Sequence, residues 1–163
     1  MLAIAGEKGQ YPLRVNANGG LYLLKDGRDI PDVFMMSVDF PGEFTVFLES
    51  VLTNNSNVPT RIYGQYGTIE LDGSPVLTGN GDFIKEFKAL NNGYTNVTIP
   101  VEKQDDPYRA LQGNFMEVIR KGGTLYCGVD LGTSTMVAIK MGVESYRQKK
   151  TMTWDAKNER VIS

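Results

Sequence analysis

The sequence predicts an α+β fold: a large, mostly antiparallel, open sheet with helices packed on one of its faces. Two observations predict it. Over roughly the first two thirds of the 163 residues, apolar and polar residues alternate in short runs between Gly and Pro turns, which is typical of strands. Over the last third, apolar residues recur at helical spacing. Strands followed by helices are typical of this class.

The strands follow from the alternation, starting near the N-terminus. Residues 14–18 form a short strand before Gly19-Gly20, and the apolar run 21–24 ends at the turn dipeptide Asp26-Gly27. Residues 33–40 and 44–52 are the clearest strands. The run 83–90 fits both a helix and a strand, and we favour the strand. The other short strands are predicted at 60–63, 68–71, 75–77, 94–101 and 151–154.

The second face of the two long strands is unusually apolar. A sheet with one solvated face should alternate cleanly between apolar and polar residues. Here the outer face carries Val33, Met35, Phe47 and Val51. We therefore expect this face to be covered, most simply by a partner subunit in a homo-oligomer.

Two helices are predicted in the last third. The first begins at Asp106-Pro107, an N-cap followed by a proline, and ends at Gly122-Gly123. The second covers about 131–147. The apolar stripes are Tyr108, Leu111, Phe115, Val118 and Ile119 on the first helix, and Met136, Ile139, Val143 and Tyr146 on the second.

Composition excludes several functional classes. The chain has no histidine, so it can hold no Ser-His-Asp relay and no His metal ligand, and we predict no metal. The net charge of −2 argues against a nucleic-acid partner. No run of residues is long enough for a membrane helix and no signal peptide is recognisable, so a cytoplasmic location and no membrane partner are expected. The single cysteine, Cys127, is expected to be a buried structural thiol.

Motif searches give no catalytic constellation. Gly79-Asn80-Gly81 lacks the rest of a dinucleotide-binding fingerprint, and Ser134 is one glycine short of a nucleophile elbow. Asp29 and Asp32, which flank Ile30-Pro31 beside Arg28, could contact a polar ligand or could hold a turn through hydrogen bonds. We expect the turn. The residues therefore predict a folded domain but no activity of their own.

The order of several short motifs resembles the C-terminal domain of the Gfo/Idh/MocA oxidoreductases, the relatives of glucose–fructose oxidoreductase and inositol dehydrogenase. The family has an "NF-x-x-x-IR-x-G" helix, a "V-[DE]-x-G" entry to a second helix that ends near "S-[YF]-R", and earlier "V-x-A-x-GG", "PD" and "G-x-x-G-x-[IL]" elements. The matching segments here are 15–20, 31–32, 66–69, 114–122, 127–132, 141–147 and Trp154-Asp155.

The resemblance implies a division of labour. Residues 1–163 would be a single substrate-binding and oligomerisation domain, without a Rossmann domain, inactive by itself, from an enzyme that uses NAD or NADP on a sugar, polyol or related compound. Its partners would be an N-terminal Rossmann domain, further copies through the open sheet face, and a small sugar-like substrate. The Glu-Lys-Pro motif and the active-site histidine of the family have no counterpart here, so no catalytic or cofactor-binding residue is assigned. By approximate position, Asn18, Tyr22, Arg28 and Asp32 are candidates for the substrate wall.

Two alternative hypotheses about function remain open from the sequence. The chain could be a stand-alone, non-enzymatic ligand-binding or assembly module built on the same fold. A weaker alternative is an independent hydrolase using Asp29, Asp32 or Asp105, which no spacing in the sequence supports.

Overall fold

A computed structural model describes residues 9–56, 58–101 and 106–163. The chain divides into two compact units, Met1–Asn55 with Tyr108–Ser163 and the intervening Ser56–Pro107. In chain order the elements are β1 (Arg14–Gly20), β2 (Val33–Phe40), β3 (Phe44–Val51), β4 (Arg61–Tyr63), β5 (Gly67–Glu70), β6 (Val76–Gly79), α1 (Ile84–Leu90), β7 (Asn96–Thr98), α2 (Pro107–Lys121), α3 (Val129–Gln148), β8 (Met152–Asp155) and β9 (Arg160–Ile162).

The predicted α+β class with antiparallel strands is confirmed, but the strands form two sheets where one large sheet was expected. One sheet has the order β3-β2-β1-β8-β9 and the other the order β4-β5-β6-β7. All of their strand pairs are antiparallel. The strands separate into two sheets at the polar stretch after β3. The described residues of this stretch pair with no strand, so the first sheet ends there.

In the first unit, α3 packs on β1 and β8 and closes the core. Helix-facing side chains of β1 and β2, such as Val15 and Val38, lie against Ala138 and Met141 of α3. Gly142 lets the helix approach the sheet, because a Cβ at this position would lie 2.7 Å from the sulfur of Met36. The predicted alternation therefore sorts the side chains of β2 between core and open face; in β3 it holds for Phe44 and Val46, which pack against this core, but Leu48 on the same face is 41% exposed.

Ser145 joins the end of α3 to the middle of β1. Its buried hydroxyl accepts the backbone N–H of Ala17 at 2.9 Å and donates to the carbonyl of Lys150 at 2.6 Å. Strand β8 pairs with β1 only at Arg14 and Val15, so Ala17 lies beyond that ladder. The serine thus supplies an acceptor where the neighbouring strand has ended.

In the second unit, a short helix covers one face of the four-stranded sheet. The run 83–90, for which a strand was favoured, begins at a 3-10 turn (Gly81–Phe83) and continues as α1, so that prediction is wrong. Phe87 is buried over β5 and β6, where Gly67 and Gly79 leave room for its ring. The apolar spacing of Phe83, Phe87 and Leu90 was the correct signal.

The two long helices start and end close to their predicted limits. Helix α2 begins at Pro107, as predicted, and Gly122 ends it with φ of 76° while its N–H donates to the carbonyl of Val118. Helix α3 ends at Lys149, which adopts a left-handed conformation. Strand β9 was not predicted. Within the described ranges, no helix is long and apolar enough to cross a bilayer.

Candidate functional site

The candidate site is the loop between β1 and β2, which surrounds one buried carboxylate. The apolar run 21–24 forms no strand and is part of this loop. Asp32 accepts the backbone N–H of Tyr22 on both carboxylate oxygens, at 3.0 and 3.1 Å, and those of Leu23 and Leu24 on Oδ2 at 2.7 and 2.9 Å. Because three consecutive N–H groups bond to one side chain, those three donors are not available to a strand partner.

The Asp32 carboxylate is held in its ionised form. Its side chain is fully buried, at 0% exposure. The N–H of Leu24 makes the largest contribution to lowering the pKa of Asp32, and those of Tyr22 and Leu23 add to it, while burial acts in the opposite direction. Asp32 therefore supports a turn, which is the role we expected from the sequence.

Two ion pairs fix the outer part of the loop. Arg28 contacts Asp26 through two parallel hydrogen bonds of 2.7 and 2.5 Å. The hydrogen bond from this guanidinium is the main cause that lowers the pKa of Asp26 to about 2. Asp29 lies 3.6 Å from Arg147 in the last turn of α3. The first pair joins two residues within the loop, and the second, between two exposed side chains, connects the loop to the end of the helix.

The four substrate-wall candidates do not all meet. Tyr22, Arg28 and Asp32 belong to the same loop: Asp32 binds the backbone of Tyr22, and its charge raises the pKa of Arg28 after the larger effect of Asp26. The Tyr22 side chain is 65% exposed, whereas Asp32 is buried, so Asp32 could serve a substrate only by positioning the loop. Asn18 lies apart on β1, opposite Met35 of β2.

The open face of the first sheet brings the predicted oligomer-face residues together. Val33 pairs with Val51, and Met35 and Phe47 have the same parity on their strands, so all four point away from α3. Phe47 is 80% and Met35 47% exposed, while the two valines are half-buried. Asn18 shares this face, which the sequence did not suggest.

A groove lies beside α2, and the sequence did not predict it. Leu111, Phe115 and Met116 line a groove of about 490 Å³ together with Leu125 and Cys127. Cys127 is exposed, so the prediction of a buried thiol is wrong. It lies in the α2–α3 loop and lines the groove, so its thiol is outside the core.

The remaining residues considered for chemistry have structural surroundings. Ser134 is buried and its hydroxyl donates to the carbonyl of Leu131 within α3. Asp105 lies outside the described residues. Among the residues with described positions, no group of three or more acidic, cysteine or histidine side chains could hold a metal ion.

Comparison of the whole fold with solved structures gives clear matches. The chain resembles the aldose-aldose oxidoreductase of Caulobacter crescentus, solved with glycerol, with a TM-score of 0.66 and 20% identity over 93% of this chain and 44% of that one. A protein of Desulfitobacterium hafniense, provisionally described as an NADPH-dependent oxidoreductase, matches with a TM-score of 0.65 and 16% identity, over 86% and 42% of the two chains. An NAD-binding protein of Listeria innocua matches with a TM-score of 0.63 and 16% identity, over 92% and 47%.

These likenesses establish a shared fold. The chain spans about half the length of each of these structures. A scan against protein-family models finds no match, and neither does a search of the curated proteins.

Proposed function

We propose that this chain is the C-terminal substrate-binding and oligomerisation domain of an NAD(P)-dependent oxidoreductase of the Gfo/Idh/MocA family. The full-length enzyme would act on a sugar, polyol or related compound. One observation carries the proposal: more than nine tenths of the chain superimposes on less than half of an aldose-aldose oxidoreductase. The order of the motifs in the sequence supports the same assignment.

The nicotinamide cofactor does not fit this chain. A dinucleotide is normally held at a Gly-rich turn between a strand and a helix N-terminus. The sequence contains no G-x-G-x-x-G motif, and the glycine at the start of α3, Gly128, follows an irregular loop. The cofactor would therefore bind the other half of the enzyme, and no step of the reaction is assigned to a residue of this chain.

The loop after β1 is the part of this chain that we propose as a substrate wall. The exposed Tyr22 offers a ring face and a hydroxyl, the two features with which proteins bind sugar rings and their hydroxyl groups. Arg28 is held in place by Asp26, and Asp32 fixes the backbone on which Tyr22 is carried. Such a wall is preorganised, so a ligand would not have to order it on binding.

The proposal is tested by comparing this 163-residue chain with the polypeptide that its natural gene encodes. We expect the longer protein to bind NAD or NADP and to reduce it with a member of an aldose and polyol panel, measured by absorbance of the reduced nicotinamide. The 163-residue chain should neither bind the cofactor nor turn over. Turnover by the short chain, or a gene that encodes no nucleotide-binding half, would overturn the proposal and favour the stand-alone module.

Within the longer enzyme, Tyr22→Ala should raise KM for the substrate without changing cofactor binding. Tyr63→Ala is the matched control, because Tyr63 is a similarly exposed tyrosine on β4 of the second unit. If both substitutions changed KM for the substrate equally, the proposal that this loop forms part of the substrate wall would be wrong.

A further inference from the structure

Helix α2 is amphipathic, yet Leu111, Phe115 and Ile119 on its apolar side are exposed. None of its fifteen residues is buried. Leu111 and Phe115, one turn apart, are 44% and 53% exposed, and Tyr108 and Ile119 extend the same stripe in both directions. Helices in folded domains normally bury such a stripe, and a contiguous exposed apolar patch of this kind marks an interaction surface.

The surface beside α2 is shaped before any partner arrives. Asn114 donates from Nδ2 to the carbonyl of Thr124 at 3.2 Å, and its Oδ1 accepts the N–H of Tyr126 at 2.8 Å. These two bonds hold the α2–α3 loop against the helix, and Leu125 and Cys127 of this loop line the groove together with Phe115. A fixed apolar concavity can accept an apolar element without the cost of ordering a loop.

We propose that this α2 groove, with the stripe from Tyr108 to Ile119, docks the nucleotide-binding half of the full-length polypeptide, an inference that rests on the proposed function. The solved structures of the same fold contain about as much chain again beyond the matched part. A covering element that belongs to the same polypeptide is present at high effective concentration, so it can protect apolar side chains in every molecule. A second copy of this chain would cover them only above its dissociation constant, and this occupant is an outcome of the test below.

Cys127 provides the probe. It lines the groove, it is exposed, and it is the only cysteine in the chain. Alkylation by iodoacetamide should be rapid in the 163-residue chain. In the polypeptide encoded by the natural gene, with any additional cysteines replaced by serine, modification of Cys127 should be slower by about tenfold or more, because the thiol must wait for local opening of the interface.

In the matched control, the single cysteine is moved from the groove to another exposed site on the same unit. Lys140 lies on the exposed side of α3, where its side chain is 62% exposed. In a Cys127→Ser background, Lys140→Cys should be alkylated at similar rates in the short and long proteins. Protection at both positions would indicate general shielding of the chain and would overturn the assignment to the groove.

The outcomes separate this inference from the proposed function. Protection of Cys127 from alkylation without turnover on sugars or polyols supports the docking surface and contradicts the proposed oxidoreductase activity. Turnover with an unprotected Cys127 overturns the docking surface and still supports the proposed activity. If Cys127 of the short chain becomes protected from alkylation as the protein concentration rises, the groove binds a second copy and the proposal is overturned. A natural gene that encodes no further half would also overturn the proposal.

A stability measurement tests the same surface independently. The double substitution Leu111→Gln and Phe115→Gln should leave the Tm of the short chain within about 2 °C of its original value, because both residues are already exposed. In the long protein the same change should lower the Tm by about 5 °C or more, since the interface loses its apolar anchors. An unchanged Tm in the long protein would contradict the proposal.

Discussion

A single hydroxyl group at Ser145 determines how the end of α3 is attached to the first sheet. It is fully buried and bonds both to the backbone of β1 and to the residue after the helix. Ser145→Ala would leave the N–H of Ala17 without its acceptor in the interior. We expect a loss of about 1–3 kcal/mol in the free energy of unfolding, measured by urea denaturation.

Ser134→Ala, on the same helix, is the control for this prediction. Ser134 is equally buried in α3, but the carbonyl to which it donates also accepts from the hydroxyl of Thr135. We expect a cost of less than about 1 kcal/mol. If the two alanine variants were equally stable, Ser145 would not have the bridging role described above.

Asp32 makes a pH-dependent contribution to stability. Its pKa is lowered in the folded protein, chiefly by the N–H of Leu24, so its stabilising effect is fully present above the unfolded pKa of about 4 and is lost as pH falls through the lower folded value. Asp32→Asn should be less stable than the parent at neutral pH, since an amide group brings donors toward the donors of the loop. The difference should narrow below about pH 4 in thermal melts across pH 2–8. A constant difference over that range would contradict this account.

The sequence motifs located important residues without revealing what they do. Ser145, Asn114 and Asp32 all lie in the segments that resemble the oxidoreductase family, and each binds backbone groups at a helix end or in a loop. Their partners, such as Ala17 and Tyr126, are far away in sequence or in irregular segments. Periodicity carries no information about such contacts, because it reports only which face of an element is buried.

At the scale of secondary-structure elements, α1 shows how one aromatic ring supports a small sheet. Phe87 is 2% exposed and lies over the two glycines of β5 and β6. Phe87→Ala should destabilise the second unit by about 3–5 kcal/mol, because it leaves a cavity that the backbone of the sheet cannot fill. Hydrogen exchange of the β5 and β6 amides should accelerate sharply.

Leu90→Ala, on the same short helix, is the matched control. Leu90 is mostly exposed, so this substitution should change stability by less than about 0.5 kcal/mol. Similar exchange rates in the two variants would mean that α1 does not support the sheet through Phe87.

Elements with a long, clean pattern were predictable, and short ones were not. Strands β2 and β3 and the helices α2 and α3 lie within a few residues of their predicted limits. The helix α1 was missed because seven residues contain too few periods to separate helix from strand. The loop structure of the apolar run 21–24 was not predictable, because it depends on the carboxylate of Asp32, which accepts the backbone N–H groups of Tyr22, Leu23 and Leu24.

For the whole molecule, the open face of the first sheet is where we expect subunits to meet. Phe47→Asp should weaken a dimer or tetramer of the chain by about 30-fold or more, because a charge would enter an apolar contact. Light scattering at several concentrations gives the mass. The fold of the monomer should be retained, since Phe47 is exposed.

Met136→Asp is a suitable comparison, because it makes the same kind of change at an exposed site on α3. It should leave the assembly intact. A parent chain that stays monomeric at high concentration would contradict the oligomerisation proposal, and equal weakening by both substitutions would move the contact away from the sheet face.

The fold class and the apolar open face of the first sheet were accessible from sequence, whereas the groove beside α2 was not. Helical spacing shows which side of a helix is apolar, but it does not show which side is covered: Met136 and Ile139 of the predicted α3 stripe are exposed, and Ala138 and Met141 face the core instead. The stripe of α2 has the same pattern as a buried helix face and is exposed. The division of the strands into two sheets was equally hidden, because it depends on which strands pair across the polar stretch after β3.

The nesting of Ser56–Pro107 between the two segments of the first unit has a consequence for synthesis on the ribosome. The pairs within the inner sheet join strands that are close in the chain, so this unit has all of its contacts soon after it emerges. The outer unit must wait, because β1 receives its second neighbour and its covering helix only from β8 and α3. We therefore expect the inserted segment to fold first and the surrounding unit to fold last, with one edge of β1 unpaired until α3 and β8 are made.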